Sequence, residues 1–141
     1  MRIAKQLTAN DLGLTGGHQA GIHVPKDSPL VSLIEEDSRG EENPRVTLNL
    51  FDEQTGFTCS STLIYYNNSR RGGTRDEYRI TGTTTFLKLI GAEMGDELVL
   101  KVDDAETLLV SLVKRSILES KDNDDEPIKL NGKWRFIGGT I

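Results

Sequence analysis

Residues 58–81 read TCSSTLIYYNNSRRGGTRDEYRIT, and this stretch decides the class of the fold. Residues 58–66 are rich in β-branched and aromatic side chains, which favour a strand. Residues 67–73 contain two asparagines, a serine and two glycines, the composition of a loop. Residues 77–81 resume as a second strand. The stretch therefore predicts two strands joined by a polar loop that carries arginines.

Short runs of the same kind extend the β pattern along the chain. Strands are also predicted over residues 2–8, 21–24, 46–50, 98–102, 107–116 and 133–137, with turn residues between them. The run 107–116 fits either a helix or a strand, and its Leu, Val and Thr content favours the strand. Ser28 and Pro29 resemble a helix start that would bury Leu30, and residues 86–90 resemble a helical turn. We predict a small barrel-like β domain with one or two short helices.

The bulk composition restricts the kinds of function that this chain can have. A length of 141 residues suits one domain, and the net charge of -5 repels phosphate overall. DNA binding would therefore need a concentrated basic face. The single cysteine, Cys59, excludes an internal disulfide framework, and two histidines are too few for an obvious zinc site. No apolar run is long enough for a membrane span, and we expect a soluble cytoplasmic protein.

The loop and strand from residue 70 to residue 79 concentrate the charges that could read DNA. Four arginines lie here against two acidic residues. The period of two in a strand puts Arg75, Glu77 and Arg79 on one face and Tyr78 on the other. Arginine can donate two hydrogen bonds to guanine, and glutamate can accept from the cytosine amino group. The pattern is typical of G·C reading in the major groove, and a solvated strand with surface ion pairs is the alternative.

A second candidate stretch lies near the amino terminus, over residues 8–19. Its small residues and glycines would let the backbone N–H groups approach phosphate oxygens. His18 and Gln19 could donate hydrogen bonds to phosphates or bases. The alternative is a mobile turn without a ligand.

A nuclease site is a further possibility in the carboxy-terminal half. Asp104 followed by Glu119 and Lys121 imitates the acid and Glu-x-Lys pattern of Mg²⁺-dependent nucleases. The surrounding residues 119–126 are acidic and poorly hydrophobic, which disfavours a pocket built on strand ends. A regulator-like DNA-binding domain and an interaction module without DNA also stay open at this point.

In their order along the chain, four motifs resemble one known family. They are LTAND (residues 7–11), TGGHQ (15–19), IYYN (64–67) and the positions of TR, E and RIT within residues 74–81. Together they are similar to the amino-terminal effector domain of EcoRII-type (type IIE) restriction endonucleases. The resemblance implies a B-three-like (B3-like) DNA-binding pseudo-barrel, an open barrel of about seven strands with one or two short helices. That domain would span residues 1–137, and residues 138–141 would begin a linker to a catalytic domain.

The resemblance also implies that two arms grip the major groove. The first arm would be the loop from Asn10 to Gln19, extending to His23, and the second would be residues 67–79. Base reading is assigned to Arg75, Glu77, Arg79, His18, His23 and Tyr78. Contacts with the DNA backbone are assigned to Lys5, Asn10, Thr15, Gly16, Gly17, Gln19, Lys26, Asn67, Ser69, Arg70, Arg71 and Thr74. The family carries lysine where this chain has Gly73 and Tyr78, and tyrosine where it has His23.

The function expected from this resemblance is sequence-specific binding of double-stranded DNA, with CCWGG as the first guess for the site. Binding would need no cofactor, and the domain itself would not be catalytic. A nuclease domain fused at the carboxy terminus of the parent enzyme would use Mg²⁺. The expected location is the cytoplasm of a prokaryote, without a membrane partner.

Overall fold

The computed structural model describes residues 2–14, 21–104, 106–119 and 134–136. The strands are β1 Arg2–Gln6, β2 Ile22–Val24, β3 Arg45–Asp52, β4 Thr58–Tyr66, β5 Glu77–Thr81, β6 Glu97–Val102, β7 Thr107–Val113 and β8 Trp134–Phe136. The α-helices are α1 Thr84–Leu89 and α2 Arg115–Glu119, and 3₁₀ helices occupy Pro29–Leu33, Glu36–Gly40 and Asn68–Arg71. This is a mainly β architecture with short helical connections.

The eight strands form one curled sheet in the order β2-β5-β4-β3-β7-β6-β1-β8. Its pairs are antiparallel except for β3 and β7, which are parallel. The two edge strands, β2 and β8, meet through a side chain: the indole N–H of Trp134 donates to the carbonyl of His23 at 3.0 Å. Trp134 is fully buried. Within the described residues, this side-chain hydrogen bond joins the two edge strands, and no backbone ladder pairs them.

The core lies inside the curl and follows the alternation of the strands. Leu63 on β4 and Ile80 on β5 are cross-strand neighbours, and both are buried. Leu48, Leu108 and Trp134 are buried completely. Alternate residues on the same strands point outward. The two faces of the sheet are consequently distinct.

The strands and the mainly β class predicted from the sequence are confirmed, with shifts at their ends. In the part of the chain that the structure describes, the sheet has eight strands where about seven were expected. The ambiguous run 107–116 is a strand only as far as Val113, because Asp96 Oδ1 accepts from the backbone N–H of Arg115 and α2 begins there. Ser28 Oγ accepts from the backbone N–H of Leu30 at the predicted helix start. The predicted linker, residues 138–141, lies outside the described residues.

Candidate nucleic-acid interface

The outward face of β5 gathers the predicted base-reading side chains. Glu77 lies opposite Tyr66 of β4, and Arg79 lies opposite His23 of β2. Directly opposed residues in antiparallel strands project to the same face. The register therefore places these four side chains on one surface, next to Arg75 just before the strand.

Glu77 is the centre of this cluster. Its Oε1 accepts from Arg75 Nη2 at 2.7 Å, from Arg75 Nε at 3.2 Å and from Arg79 Nε at 3.1 Å. Among the described residues, Oε2 accepts no hydrogen bond from protein. One carboxylate oxygen thus holds both guanidinium groups.

The electrostatics of the cluster favour the ionised form of Glu77. Burial opposes ionisation, but the hydrogen bonds and charges of Arg75 and Arg79 outweigh it and lower the pKa of Glu77. A carboxylate can only accept hydrogen bonds. Glu77 is therefore an acceptor at neutral pH, as a cytosine amino group requires.

Arg75 is held from three sides. Its Cζ lies 3.6 Å above the centroid of the Tyr66 ring, a cation–π arrangement. Its Nε–Nη2 edge faces Glu77, and its backbone N–H donates to Asn68 Oδ1 at 2.7 Å. Within the described part of the chain, Nη1 donates no hydrogen bond, and Nη2 keeps a second N–H besides the one that faces Glu77, so the terminal Nη1–Nη2 edge retains donors. That edge is one of the two with which arginine can donate a pair of parallel hydrogen bonds.

Arg79 lies deeper than Arg75, with a side chain 8% exposed against 32% for Arg75. In this structure its Nε supports Glu77 from below. Its direct contact with a base stays a prediction.

His23 is half-buried beside Arg79. Burial, and next the positive charge of Arg79, lower the pKa of His23. The imidazole is consequently neutral at neutral pH and can offer both a donor and an acceptor.

The loop before β5 is fixed to the barrel by its own side chains. Gly72 ends the 3₁₀ helix Asn68–Arg71 with φ 86°, a left-handed conformation that favours glycine. A Cβ at Gly73 would lie 2.6 Å from Asn68 Cγ, so a larger side chain there would displace Asn68. Asp76 then accepts from the Tyr65 hydroxyl at 2.6 Å and from Lys26 Nζ.

Tyr78 does not belong to the reading surface, which corrects its assignment as a base-reading residue. Its side chain points into the core and is 6% exposed. The ring stacks on Tyr65, with centroids 4.3 Å apart and planes 9° from parallel. The alternation of β5 is the cause, since Glu77 and Arg79 occupy the outward positions on either side of Tyr78.

Two predicted phosphate contacts are wrong because their side chains are buried by partners within the fold. Lys5 pairs with Asp11 at 2.5 Å, and their side chains are 5% and 4% exposed. Asn67 is fully buried, where its Oδ1 accepts from the backbone N–H of Asn43 and its Nδ2 donates to the carbonyl of Glu41. Both residues therefore make contacts within the fold, at the points where the predicted arms join the barrel.

The remaining residues that were predicted to contact the DNA backbone divide into three groups. Lys26, Ser69 and Thr74 are exposed, and Asn10 is half-buried. Arg70 and Arg71 lie in the 3₁₀ helix Asn68–Arg71, but their side chains are outside what the structure describes. Thr15, Gly16, Gly17 and Gln19 lie outside the described residues, as does His18, which was assigned to base reading. Their assignments stay predictions.

The nuclease alternative gains no support from Asp104. Its Oδ1 accepts from the backbone N–H groups of Glu106 and Thr107, so the carboxylate shapes the turn between β6 and β7. Lys121 lies outside the described residues. In the described ranges, no three His, Cys, Asp or Glu side chains converge as metal ligands would. Within the same ranges, no helix has the length and apolarity to cross a membrane.

Three residues of this surface were not identified from the sequence, namely Tyr66, Asn68 and Asp76. The alternation of β4 could have identified Tyr66, because it places Tyr65 inward and Tyr66 outward. Asn68 and Asp76 act through hydrogen bonds across the loop and to Lys26, which no local pattern encodes.

Comparisons with known proteins agree with this geometry. The family described as "Restriction endonuclease EcoRII, N-terminal" matches residues 1–114. A relative, the type II restriction enzyme EcoRII of Escherichia coli, is 38% identical over 78 residues, which is 55% of this chain and 19% of that enzyme. The chain therefore spans about a fifth of that relative.

Two solved structures share the fold. One is the Arabidopsis FUS3–DNA complex, with a TM-score of 0.51 and 14% identity, covering 79% of this chain and 94% of the other. The second is the B3 domain of the UbaLAI restriction endonuclease with cognate DNA, with a TM-score of 0.51 and 19% identity. It covers 79% of this chain and 65% of the other. These similarities confirm the B3-like pseudo-barrel.

Proposed function

Because the chain belongs to the family of amino-terminal domains of EcoRII restriction endonucleases, we propose that it binds double-stranded DNA sequence-specifically through the major groove. In this proposal it is the effector domain of a restriction enzyme whose nuclease domain follows it in the parent protein. Mg²⁺ would serve that nuclease domain and not the binding surface described above.

The asymmetry of Glu77 is the observation that carries the proposal. Oε1 accepts from Arg75 and Arg79, whereas among the described residues Oε2 accepts no hydrogen bond and Arg75 Nη1 donates none. A guanine offers O6 and N7 to an arginine, and a cytosine offers its N4 amino group to a carboxylate. The two available edges therefore match neighbouring G·C pairs.

Two further observations support DNA as the ligand. The UbaLAI B3 domain and FUS3, which share this fold, were both solved with DNA. The cluster also presents its cationic edge on a chain whose net charge is -5. A local cationic surface on an acidic protein restricts nucleic acid to one face.

The test is selection of bound duplexes from a random library by the purified chain, followed by affinity measurements on the selected site. We expect a short G·C-containing site, and CCWGG is the first sequence to compare with a scrambled duplex. Arg75→Ala should reduce discrimination at one G·C pair by about 1–3 kcal/mol. Lys101→Ala is the matched control, because it removes one positive charge from an exposed position on β6, remote from β5 in the sheet.

Three results would overturn the proposal. They are a selection without a consensus, an affinity independent of salt, and an equal loss of discrimination in the two variants. Binding through phosphates should weaken steeply as salt rises. Incubation of the chain with Mg²⁺ and target plasmid tests the nuclease alternative, because specific cleavage would contradict a pure binding role.

A further inference from the structure

We propose that Tyr66 determines the specificity of this surface by fixing the plane in which the Arg75 guanidinium meets a base. The inference rests on the proposed DNA binding and adds to it a residue that contacts the reading arginine rather than the base. Tyr66 is in this sense a positioning residue.

The position of the Tyr66 ring is determined by the sheet. Tyr66 is the last residue of β4 and pairs in register with Glu77, the first residue of β5. The ladder between these strands continues through Tyr65 and Tyr78, whose stacked rings are buried beneath. The ring of Tyr66 is therefore a platform on a rigid element, whereas Arg75 belongs to the loop.

Arg75 needs such a platform because its other contacts leave its plane undetermined. The backbone N–H of Arg75 is held by Asn68, and Glu77 Oε1 receives both Nε and Nη2. A single acceptor oxygen allows the guanidinium to rotate about the hydrogen bonds. The ring, 3.6 Å from Cζ, removes that freedom because a cation–π contact prefers the guanidinium over the ring face.

A fixed plane favours base reading over phosphate binding. Paired hydrogen bonds to guanine O6 and N7 require the donor edge to be coplanar with the base. A phosphate accepts arginine from many directions and carries no sequence information. Loss of the ring should therefore reduce discrimination between sequences much more than it reduces affinity for DNA in general.

The adjacent tyrosines show that this arrangement is specific to Tyr66. Tyr65 packs in the core and its hydroxyl donates to Asp76, so its substitution would disturb the barrel. Tyr66 is half-buried, and its ring contact with Arg75 lies on the outward face. The effect of substituting Tyr66 on DNA binding can therefore be measured without disturbing the core.

The experiment compares Tyr66→Phe, which keeps the ring, with Tyr66→Leu and Tyr66→Gln, which remove it. Affinities are measured for the selected duplex, for every single base-pair substitution of it and for a nonspecific duplex. Tyr66→Phe should match the wild type. The Leu and Gln variants should lose about tenfold in discrimination at the base pair that Arg75→Ala affects, a partial loss of one arginine–guanine contact. Nonspecific affinity should stay within about twofold, because phosphate contacts supply it.

A double-mutant cycle separates positioning from a merely structural role. Once Arg75 is alanine, Tyr66→Leu should have no further effect on discrimination, because the two residues act through one contact. A second readout uses no DNA: the Nε–H resonance of Arg75 should exchange slowly with water in the wild type and Tyr66→Phe, and faster in Tyr66→Leu. If Tyr66→Leu folds poorly, the same exchange measurement is made on Tyr66→Gln.

The outcomes distinguish the two proposals. If the wild type selects no DNA sequence, the proposed function fails and the role of Tyr66 fails with it. If the wild type discriminates but the Leu and Gln variants discriminate equally well, only the role of Tyr66 is overturned. An even loss at all base pairs, or an additive effect with Arg75→Ala, would also overturn it.

Discussion

Two charged clusters of the barrel, one on β5 and one beside β6, use a carboxylate in different ways. One is the Glu77 cluster on β5, formed with Arg75 and Arg79. The other surrounds Asp96, just before β6, with Lys114 between β7 and α2. In both clusters, hydrogen bonds from cationic or backbone groups lower the pKa of the carboxyl group against the opposing effect of burial.

The clusters differ in how completely the carboxylate is satisfied. Asp96 Oδ2 accepts from Lys114 Nζ at 2.6 Å and from the backbone N–H of Glu93 at 2.8 Å, and Oδ1 accepts from the backbone N–H of Arg115 at 2.8 Å. In Glu77, by contrast, a single oxygen, Oε1, accepts all three hydrogen bonds. A carboxylate with both oxygens occupied joins elements of the fold, whereas one with an available oxygen can recognise a ligand. Charge alone does not distinguish these roles.

Asp96→Ala should produce the largest change, and the change should be in stability. It removes the carboxylate that accepts from two backbone N–H groups, and one of the three acceptors of the Lys114 ammonium, at a cost of about 3 kcal/mol. Urea unfolding of both proteins measures this loss in the free energy of unfolding. Glu93→Ala is the control, because the Glu93 side chain is 77% exposed and its pair with Lys114 contributes about 0–1 kcal/mol. Equal losses in the two variants would show that Asp96 does not join these elements.

Glu77→Gln should have an intermediate effect that depends on pH. The pKa of Glu77 in the folded protein lies below its ordinary value of 4.5, so ionised Glu77 stabilises the fold. That contribution is complete above the unfolded pKa and is lost as the pH falls through the lowered folded pKa. The stability difference between wild type and Glu77→Gln, about 1–2 kcal/mol near pH 7, should shrink as the pH falls below the ordinary pKa of 4.5 and through the lowered folded pKa. A constant difference across this range, in thermal or urea unfolding, would contradict the ionic role of Glu77.

Lys26→Ala should produce the smallest change. The Lys26 side chain is 58% exposed, and its pair with Asp76 should contribute less than about 1 kcal/mol to stability. As a phosphate contact, Lys26 should instead add about 0.9 to the slope of log affinity against log salt. The variant should bind all duplexes more weakly by the same factor, and Lys101→Ala should keep the wild-type slope. A loss confined to one base pair would make Lys26 a reader of sequence.

Much of the fold could be predicted because its signals are local. The alternation along residues 77–81 identified β5 and its outward positions, and the structure brings Arg75, Glu77 and Arg79 together as that alternation requires. The helix start at Ser28 followed from its capping chemistry. The boundary after Val113 could not be predicted in this way. The side chain that accepts from the first backbone N–H of α2 is Asp96, which precedes β6 and is distant in sequence.

The errors in the predicted site have a common physical origin. Lys5 and Asn67 carry side-chain donors that could bind DNA phosphates. They are instead buried, Lys5 by Asp11 and Asn67 by the loop that contains Asn43. A lysine or an asparagine can satisfy a phosphate or a partner in the fold equally well. The choice depends on which acceptor the folded chain brings near, and this is a long-range property for Asn67.

The sequence by itself determined the class of the fold, the strand that carries Arg79 and Glu77, and the side of that strand on which they lie. These follow from propensity and from the period of two, which depend on neighbouring residues only. The tertiary structure alone decided that Glu77 holds two arginines with one oxygen, that Tyr66 supports Arg75 and that Trp134 joins β8 to β2. Each of these contacts joins different strands or a strand and a loop, so it exists only once the barrel has closed.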